Sequence, residues 1–481
     1  MQSSPFNDVL ILQSKDIQLL TTEQAWHYRV IPKIMDESVT YYTDRQSGRE
    51  AIAEELEMLI GLPASMQHID GPTLNHYLHK YYLREEQFAQ ALPKESAYTG
   101  SSDDFLTDLI AEARKLKSSD IHLEVYEGRC RVRIRIDGQM IERYNLEKTE
   151  YPAVVNKIKI LSGLDIAEKR LPQDGRINFI HGDLKFDIRV SILPTLHGEK
   201  VVLRLLSNDA TNIDLRQLGF SSQDLTNYLE GVKRPNGMVL ISGPTGSGKT
   251  TTLYATLKLL NLDTRNILTI EDPIEYTLEG INQVQLRENI GLTFGAALRT
   301  FLRQDPDIIM VGEIRDTDTA AMAIRLALTG HLVLSTIHTN SAWGTVSRLI
   351  DMGVPAFLLA NTLNTSVAQR LLRVLCPACK QQQVFDTGLY PQQFRPFYAV
   401  ETHYVAKGCD HCFHTGYKGR KAVYEIIPID RALSENIKNN IHDVSDALAQ
   451  RKLKTLAENA FELFAAGETT LEEIYPLLFN F

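Results

Sequence analysis

The sequence predicts an α/β protein in which helices cover both faces of a parallel sheet, with an α+β domain ahead of it and a helical region behind it. Three observations carry this. Apolar runs of buried-strand type, Met238–Ile241, Ile267–Ile270, Ile308–Val311 and Leu332–Leu334, alternate with helical stretches after Leu215, as in a sheet buried on both faces. A glycine-rich loop, Gly243–Thr250, stands between one of these strands and a helix. Upstream, Arg131–Ile136 alternates strictly, with Val132, Ile134 and Ile136 on one face and Arg131, Arg133 and Arg135 on the other, the pattern of a half-buried strand.

At 481 residues the chain exceeds one hydrophobic core, and such a length predicts roughly three or four domains. The composition, 43% apolar and 23% charged, is that of a globular protein. A net charge of −9 gives the whole molecule no drive toward nucleic acid or anionic lipid. No run of about 18 apolar residues occurs, so no transmembrane helix is expected. The opening MQSSPFNDVL lacks the basic-then-apolar pattern of a secretory signal. The expectation is a cytoplasmic protein that meets a membrane only through partners. Five cysteines in that compartment argue against a disulfide framework.

Taken in order, residues 1–97 are polar and lean helical, which predicts a small helical docking domain. It ends in a linker around Leu92-Pro93-Lys94 and Thr99–Ser102. In the α+β domain, residues 98–210, an amphipathic helix carries Phe105, Leu106, Leu109, Ile110, Ala113 and Leu116, with Asp103 or Asp104 as its cap. Strands follow at Ile121–Tyr126 and Arg131–Ile136. The hairpin signal Asp137-Gly138 then leads into Met140–Tyr144. A helix over Tyr151–Ser162 and strands at Arg176–Ile180, Leu184–Ile192 and Lys200–Leu205 complete the domain. The parallel-sheet core occupies 211–370, a cysteine-bearing insertion 371–430, and a helical region 431–481.

The loop Gly243-Pro244-Thr245-Gly246-Ser247-Gly248-Lys249-Thr250 follows the strand Met238–Ile241 and precedes a helix that begins at Thr251. That context turns a G-x-x-x-x-G-K-T match into a phosphate site for ATP. Its glycines let successive backbone N–H groups point at phosphate, Lys249 adds a point charge, and the helix N-terminus adds its dipole. Thr250 offers a hydroxyl to Mg²⁺, and Thr251, at the head of the helix, is counted with the nucleotide-binding loop. Hydrolysis needs acids, and two candidate groups end predicted strands, where an open α/β sheet places its ligands. Glu271 lies in Ile270–Glu275. Glu313 lies in Asp307–Arg315, where Gly312 stands in place of the usual aspartate. We assign Glu313 to Mg²⁺ or its water shell and Glu271 to polarising the attacking water. His331 and His338 flank the strand Leu332–Leu334 and are expected to sense the γ-phosphate.

Two CxxC pairs, Cys376-Pro-Ala-Cys379 and Cys409-Asp-His-Cys412, can each place two thiolates on one tight turn. Together they suit a tetrahedral Zn²⁺ site. His411 and His414 are spare ligands, and Cys130 is a plain strand residue.

These motifs resemble the secretion ATPase superfamily, which powers type II secretion, type IV pilus assembly and retraction, and competence pseudopili. The resemblance rests on Gly243–Tyr254, Thr269–Glu275, Leu302–Arg315 and Thr329–His338, with Ser118–Glu124, Lys169–Arg176 and Asp187–Arg204 upstream. It covers about residues 100–430 and weakens over the first 97. It implies a homohexamer in which ATP lies between a PAS-like α+β domain and a RecA-like core. Arg189 and Arg204, with Arg176 as a third, would then reach the γ-phosphate; composition alone makes them solvated strand-face charges. Assembly and secretion members carry a four-cysteine motif that retraction members usually lack. The expected role is pseudopilus assembly and export in type II secretion, at the inner membrane through platform proteins held by the N-terminal domain. Type IV pilus or competence pseudopilus assembly is the alternative. A nucleic-acid translocase is disfavoured by the acidic charge and the absence of aromatic–basic interleaving.

Overall fold

The computed structural model describes residues 19–35, 38–45, 47–82, 102–182, 184–206, 214–391 and 393–479, with Leu12 and Asp16 besides. The chain forms two compact units, Met1–Glu95 and Ser96–Phe481.

The first unit holds strands beside the helices expected of it. Helices α1 (Thr22–Tyr28), α2 (Arg49–Ile60) and α3 (Gly71–Tyr81) accompany strands β1 (Val30–Met35), β2 (Ser38–Thr43) and β3 (Ala64–His68), which form one sheet in that order. The physical reason is local: Val30-Ile31 and Val39-Thr40-Tyr41-Tyr42-Thr43 are β-branched and aromatic runs that fit a pleated, half-buried surface. Val30, Ile31, Val39 and Tyr41 are buried there with Leu56 and Leu74. The predicted linker around Leu92–Lys94 and Thr99–Ser101 lies outside the described residues.

The second unit opens with α4 (Ser102–Lys115), whose predicted apolar stripe from Phe105 to Ala113 is buried. Asp103 and Asp104 fall inside this helix rather than ahead of it, and their side chains lie outside the described residues. Strands β4 (Asp120–Val125), β5 (Cys130–Ile136) and β6 (Gln139–Leu146) follow, then α5 (Tyr151–Leu161) and β7 (Gln173–His181), β8 (Leu184–Thr195) and β9 (Gly198–Leu205). They form a six-stranded sheet of order β6-β5-β4-β9-β8-β7, antiparallel at every pairing. Cys130, Val132 and Ile134 are buried and the arginines that alternate with them only half-buried, so the alternation gives this sheet an apolar face and a charged one.

The core sheet contains β10 (Gly237–Ser242), β11 (Ile267–Glu271), β12 (Asn282–Gln285), β13 (Ile308–Val311), β14 (Leu332–Ile337), β15 (Leu363–Leu375) and β18 (Tyr417–Pro428). Its order is β12-β11-β13-β14-β10-β15-β18, parallel except for the last pairing. Helices α6 (Ser222–Val232) and α7 (Lys249–Leu260) bury Tyr228 and Leu257 with Val239 and Ile241 on one face. On the other face Met238 and Leu240 belong to one buried cluster with Leu298 of α8 (Phe294–Phe301), Ala323 of α9 (Thr317–Leu328) and Phe461 of α14 (Leu456–Ala465). The sheet therefore continues to Pro428: β15 and β18 flank the cysteine segment, whose described strands are the short pair β16 (Gln381–Val384) and β17 (Thr402–Val405). Helices α10 (Gly344–Asp351) and α11 (Ala356–Thr362) connect β14 to β15, and α12 (Arg431–Lys438), α13 (Ser445–Gln450), α14 and α15 (Leu471–Ile474) end the chain. No helix among the described residues is long and apolar enough to cross a membrane.

Candidate active site

A cleft of about 970 Å³ opens at the C-terminal edge of the parallel strands, between the core and the charged face of the six-stranded sheet. Residues Thr245 through Thr251 line it. The loop is shaped by glycine where nothing else fits. Gly243 has φ 149°, and a Cβ there would stand 2.5 Å from the Gln369 carbonyl oxygen and 2.7 Å from Ser247 Oγ. Gly248 (φ 87°) precedes the first residue of α7, so the helix starts with its unpaired N–H groups toward the cleft. Ser247 Oγ is buried without a hydrogen-bond partner. Lys249 Nζ donates to the Gly243 and Pro244 carbonyls at 2.7 and 3.1 Å, which holds the ammonium within its own loop. Burial pulls its pKa below the ordinary value, against the attraction of Glu313. An orphaned hydroxyl, a confined cation and a helix start suit an anionic phosphate.

Both predicted acids line the cleft. Glu271, 3% exposed at the end of β11, accepts from Thr269 Oγ1 at 2.6 Å, Gln283 Nε2 at 3.1 Å and the Tyr254 hydroxyl. Three donors leave about one of four lone-pair sites. Burial raises its pKa, while those donors oppose the rise. Glu313 is more open and bonds Arg315 Nε and His338 Nε2, each at 2.8 Å. Gly312 has a reason to be small: a Cβ there would meet the Ile270 carbonyl oxygen at 3.2 Å and Glu271 Cα at 3.3 Å.

The opposite wall is a row of cross-strand partners. Arg176 pairs with Arg189, Arg189 with Arg204, Arg204 with Asp120, and Asp120 with Arg135, across β7, β8, β9, β4 and β5. Like charges directly opposite one another repel, and Asp120 is the one acid in the row, taking Arg204 Nε at 3.0 Å and Arg135 Nε at 3.3 Å. Such a row suits an anion.

The structure does not bring every predicted residue to this cleft. Arg204 and His338 line it with the loop and the acids. Arg176 and Arg189 line an adjoining cavity of about 470 Å³, which Arg204 shares. Arg189 also reaches the core, donating to the Ile274 carbonyl at 2.6 Å and pairing with Glu275 at 3.4 Å. His331 does not line this cleft: it precedes β14 whereas His338 follows it, and six residues of strand separate the two by roughly 20 Å. Its Nδ1 lies 2.9 Å from the Leu326 carbonyl oxygen, at the end of α9. Sequence reasoning passed over Arg135, Asp120 and Arg420, which line the cleft, and Gln369, which clamps the loop. Gln369 Nε2 donates to the Ser247 carbonyl and its Oε1 accepts from Thr252, both at 2.9 Å. The pairing signals that find Arg135 and Asp120 exist only once strand register is known.

The four cysteines of the insertion converge, with all Sγ atoms within 4.8 Å of one another. Cys376 lies 3.9 Å from Cys409, and Cys412 lies 3.8 Å from both Cys379 and Cys409. These are not disulfide lengths, and all four are free thiols. A tetrahedron of sulfurs about 2.3 Å from zinc has edges of about 3.8 Å, so the donor set fits that ion. His411 and His414 are not in the cluster; His414 Nε2 pairs with Asp410 at 3.0 Å. Cys130 is a buried residue of β5.

Residues 96–476 match the family described as "Type II/IV secretion system protein". The chain is 48% identical over 377 residues to the type IV pilus assembly ATPase PilB of Myxococcus xanthus, covering 76% of this chain and 66% of that protein. To the type II secretion system ATPase E of Vibrio cholerae it is 42% identical over 400 residues, covering 80% and 78%. Among solved structures, the pilus retraction motor PilT with bound ADP aligns at TM-score 0.53 and 27% identity, over 77% of this chain and 95% of that one. The core is thus of the secretion and pilus ATPase kind, and the chain belongs to the type II/IV secretion system protein family.

Proposed function

We propose that the chain is an ATP hydrolase that drives pseudopilus assembly and protein export in a type II secretion system. The observation that carries this is that a P-loop, two strand-end glutamates and Arg135 and Arg204 of the arginine row face one cleft. In this reading the loop N–H groups and Lys249 hold the phosphates of ATP. Glu271, fixed by Thr269, Gln283 and Tyr254, orients the attacking water and takes its proton. The water oxygen bonds to the γ-phosphorus as the bridge to the β-phosphate breaks, giving ADP and phosphate. Arg204 and Arg135 face the charge that develops there, with Arg189 and Arg176 behind them. Thr250 and Glu313 would hold Mg²⁺, which when bound neutralises phosphate charge; His338 fixes Glu313. Because Arg189 and Arg204 belong to one domain and the loop to another, nucleotide binding draws the two together, and turnover becomes motion.

The chain works, in this reading, as a homohexamer on the cytoplasmic side of the inner membrane. It is held by the cytoplasmic parts of platform proteins through its first unit, which lies outside the family match at 96–476, and has no nucleic-acid client. The four cysteines bind Zn²⁺ as a structural ion that ties the insertion together. The 48% identity to a pilus assembly ATPase favours a second reading, type IV pilus or competence pseudopilus extension, with the same chemistry and another client. The test is ATP hydrolysis by the purified chain together with capture of platform cytoplasmic domains from each system. Stimulation of the ATPase by single-stranded DNA, with no platform captured, would contradict both readings.

A further inference from the structure

We propose that the tip of the β5–β6 hairpin, Asp137-Gly138-Gln139, is a latch that fixes the arginine-bearing sheet over the P-loop, with Asp137 as a positioning residue for turnover. The proposal rests on the cleft being the ATP site. Asp137 and Gly138 have φ 50° and 86°, the two left-handed positions of a tight hairpin turn. Such a turn usually ends in solvent. Here it docks across the chain: Asp137 Oδ2 accepts the Gly419 N–H of β18 at 2.6 Å, and Oδ1 lies 3.9 Å from Arg420 Nε. Gln139 Oε1 accepts from Arg373 Nη1 of β15 at 2.8 Å.

The receiving side is rigid. Arg373 donates from Nε and Nη2 to Glu473 Oε1 of α15 at 2.9 and 2.5 Å. Its guanidinium also stands 4.1 Å from the centre of the Tyr417 ring. The hairpin reaches the cleft from its other side too, where Arg135 Nη1 donates to the Gly138 carbonyl at 2.9 Å. Arg135 and Arg420 both line the cleft, so the docked residues are chain neighbours of groups on each wall. Nothing in the hydrolytic reading uses Asp137, Gln139 or Arg373. A charge-assisted bond to a backbone N–H at this point sets the distance between the walls.

The test uses the full chain and compares Asp137→Ala, Asp137→Asn and Gln139→Ala by steady-state ATP hydrolysis and by hydrogen exchange at the Gly419 amide. Asp137→Ala is expected to lower kcat roughly tenfold, as small misplacements of reacting groups do. The half-saturating ATP should stay within about twofold, because the P-loop is untouched. The Gly419 amide should exchange faster. Asp137→Asn, which keeps an acceptor oxygen, should stay within about threefold of wild type. Wild-type kcat in Asp137→Ala, or an equal loss of binding and turnover, would overturn the latch. If Asp137→Ala fails to fold, Gln139→Ala decides by the same readouts, with a smaller fall in kcat supporting the latch and an unchanged kcat overturning it. A wild-type chain without ATPase activity would sink the ATP reading itself, whereas an active wild type matched by Asp137→Ala would sink only the latch.

Discussion

On one side of the cleft the binding groups are backbone. The P-loop holds its shape through Gly243 and Gly248, the start of α7 and the Gln369 clamp, and its N–H groups need no further ordering to meet phosphate. On the other side the groups are long side chains, Arg135 and Arg204, set on either side of Asp120 by strand register and partly neutralised by it. The first wall is preorganised and stays with the core. The second carries side-chain freedom and belongs to a separate sheet. Binding energy on the first wall serves ground state and transition state alike, whereas the second wall can act more strongly where charge develops. That division suits a motor if, as proposed, the chemistry is completed only when the two domains close.

The largest way to break the comparison is on the first wall. Lys249→Ala should abolish steady-state hydrolysis and weaken nucleotide binding measured by a fluorescent ADP analogue. Retained turnover would remove the phosphate assignment. Glu271→Gln comes next. It should lower kcat by roughly a hundredfold or more while leaving ATP bound, since it removes a general base without touching the loop. The pH profile sharpens this point. Burial raises the Glu271 pKa, and a base works only when deprotonated. Turnover should therefore fall on acidification with a midpoint above the ordinary glutamate value of about 4.3; a midpoint at or below that value would argue for another base. A smaller effect is expected from the knuckle: metal analysis should find about one Zn²⁺ per chain, lost in Cys376→Ser. The smallest is His331→Ala, at the far end of β14, which should leave kcat within about twofold.

The two walls also differ in how far they can be read from sequence. Gly243 to Thr250 is a local motif whose meaning depends on a strand before it and a helix after it, and periodicity supplies both. The arginine row has no such locality. Arg135 and Arg204 sit beside Asp120 only because β5 and β9 pair with β4 in one register, and a slip of one residue would turn them to the other face. Family resemblance pointed to Arg204 but not to Arg135, which lines the same cleft. Gln369 was illegible because β15 borders β10 through a crossover, and nothing in its neighbourhood marks a loop clamp. His331 and His338 looked alike in sequence because spacing says which residues share a strand but not which end of it reaches the cleft, where only His338 of the two is found. The strands of the first unit were missed because they are short and stand between stretches of good helix formers.

The most direct test of the two-wall account is kcat and ATP affinity for Arg204→Ala, measured on the same preparations as wild type. The account predicts that kcat falls by at least roughly tenfold, as for removal of a group that stabilises transition-state charge, while ATP affinity stays within about threefold. An Arg204→Ala chain with wild-type kcat, or one that loses affinity and rate together, would contradict it.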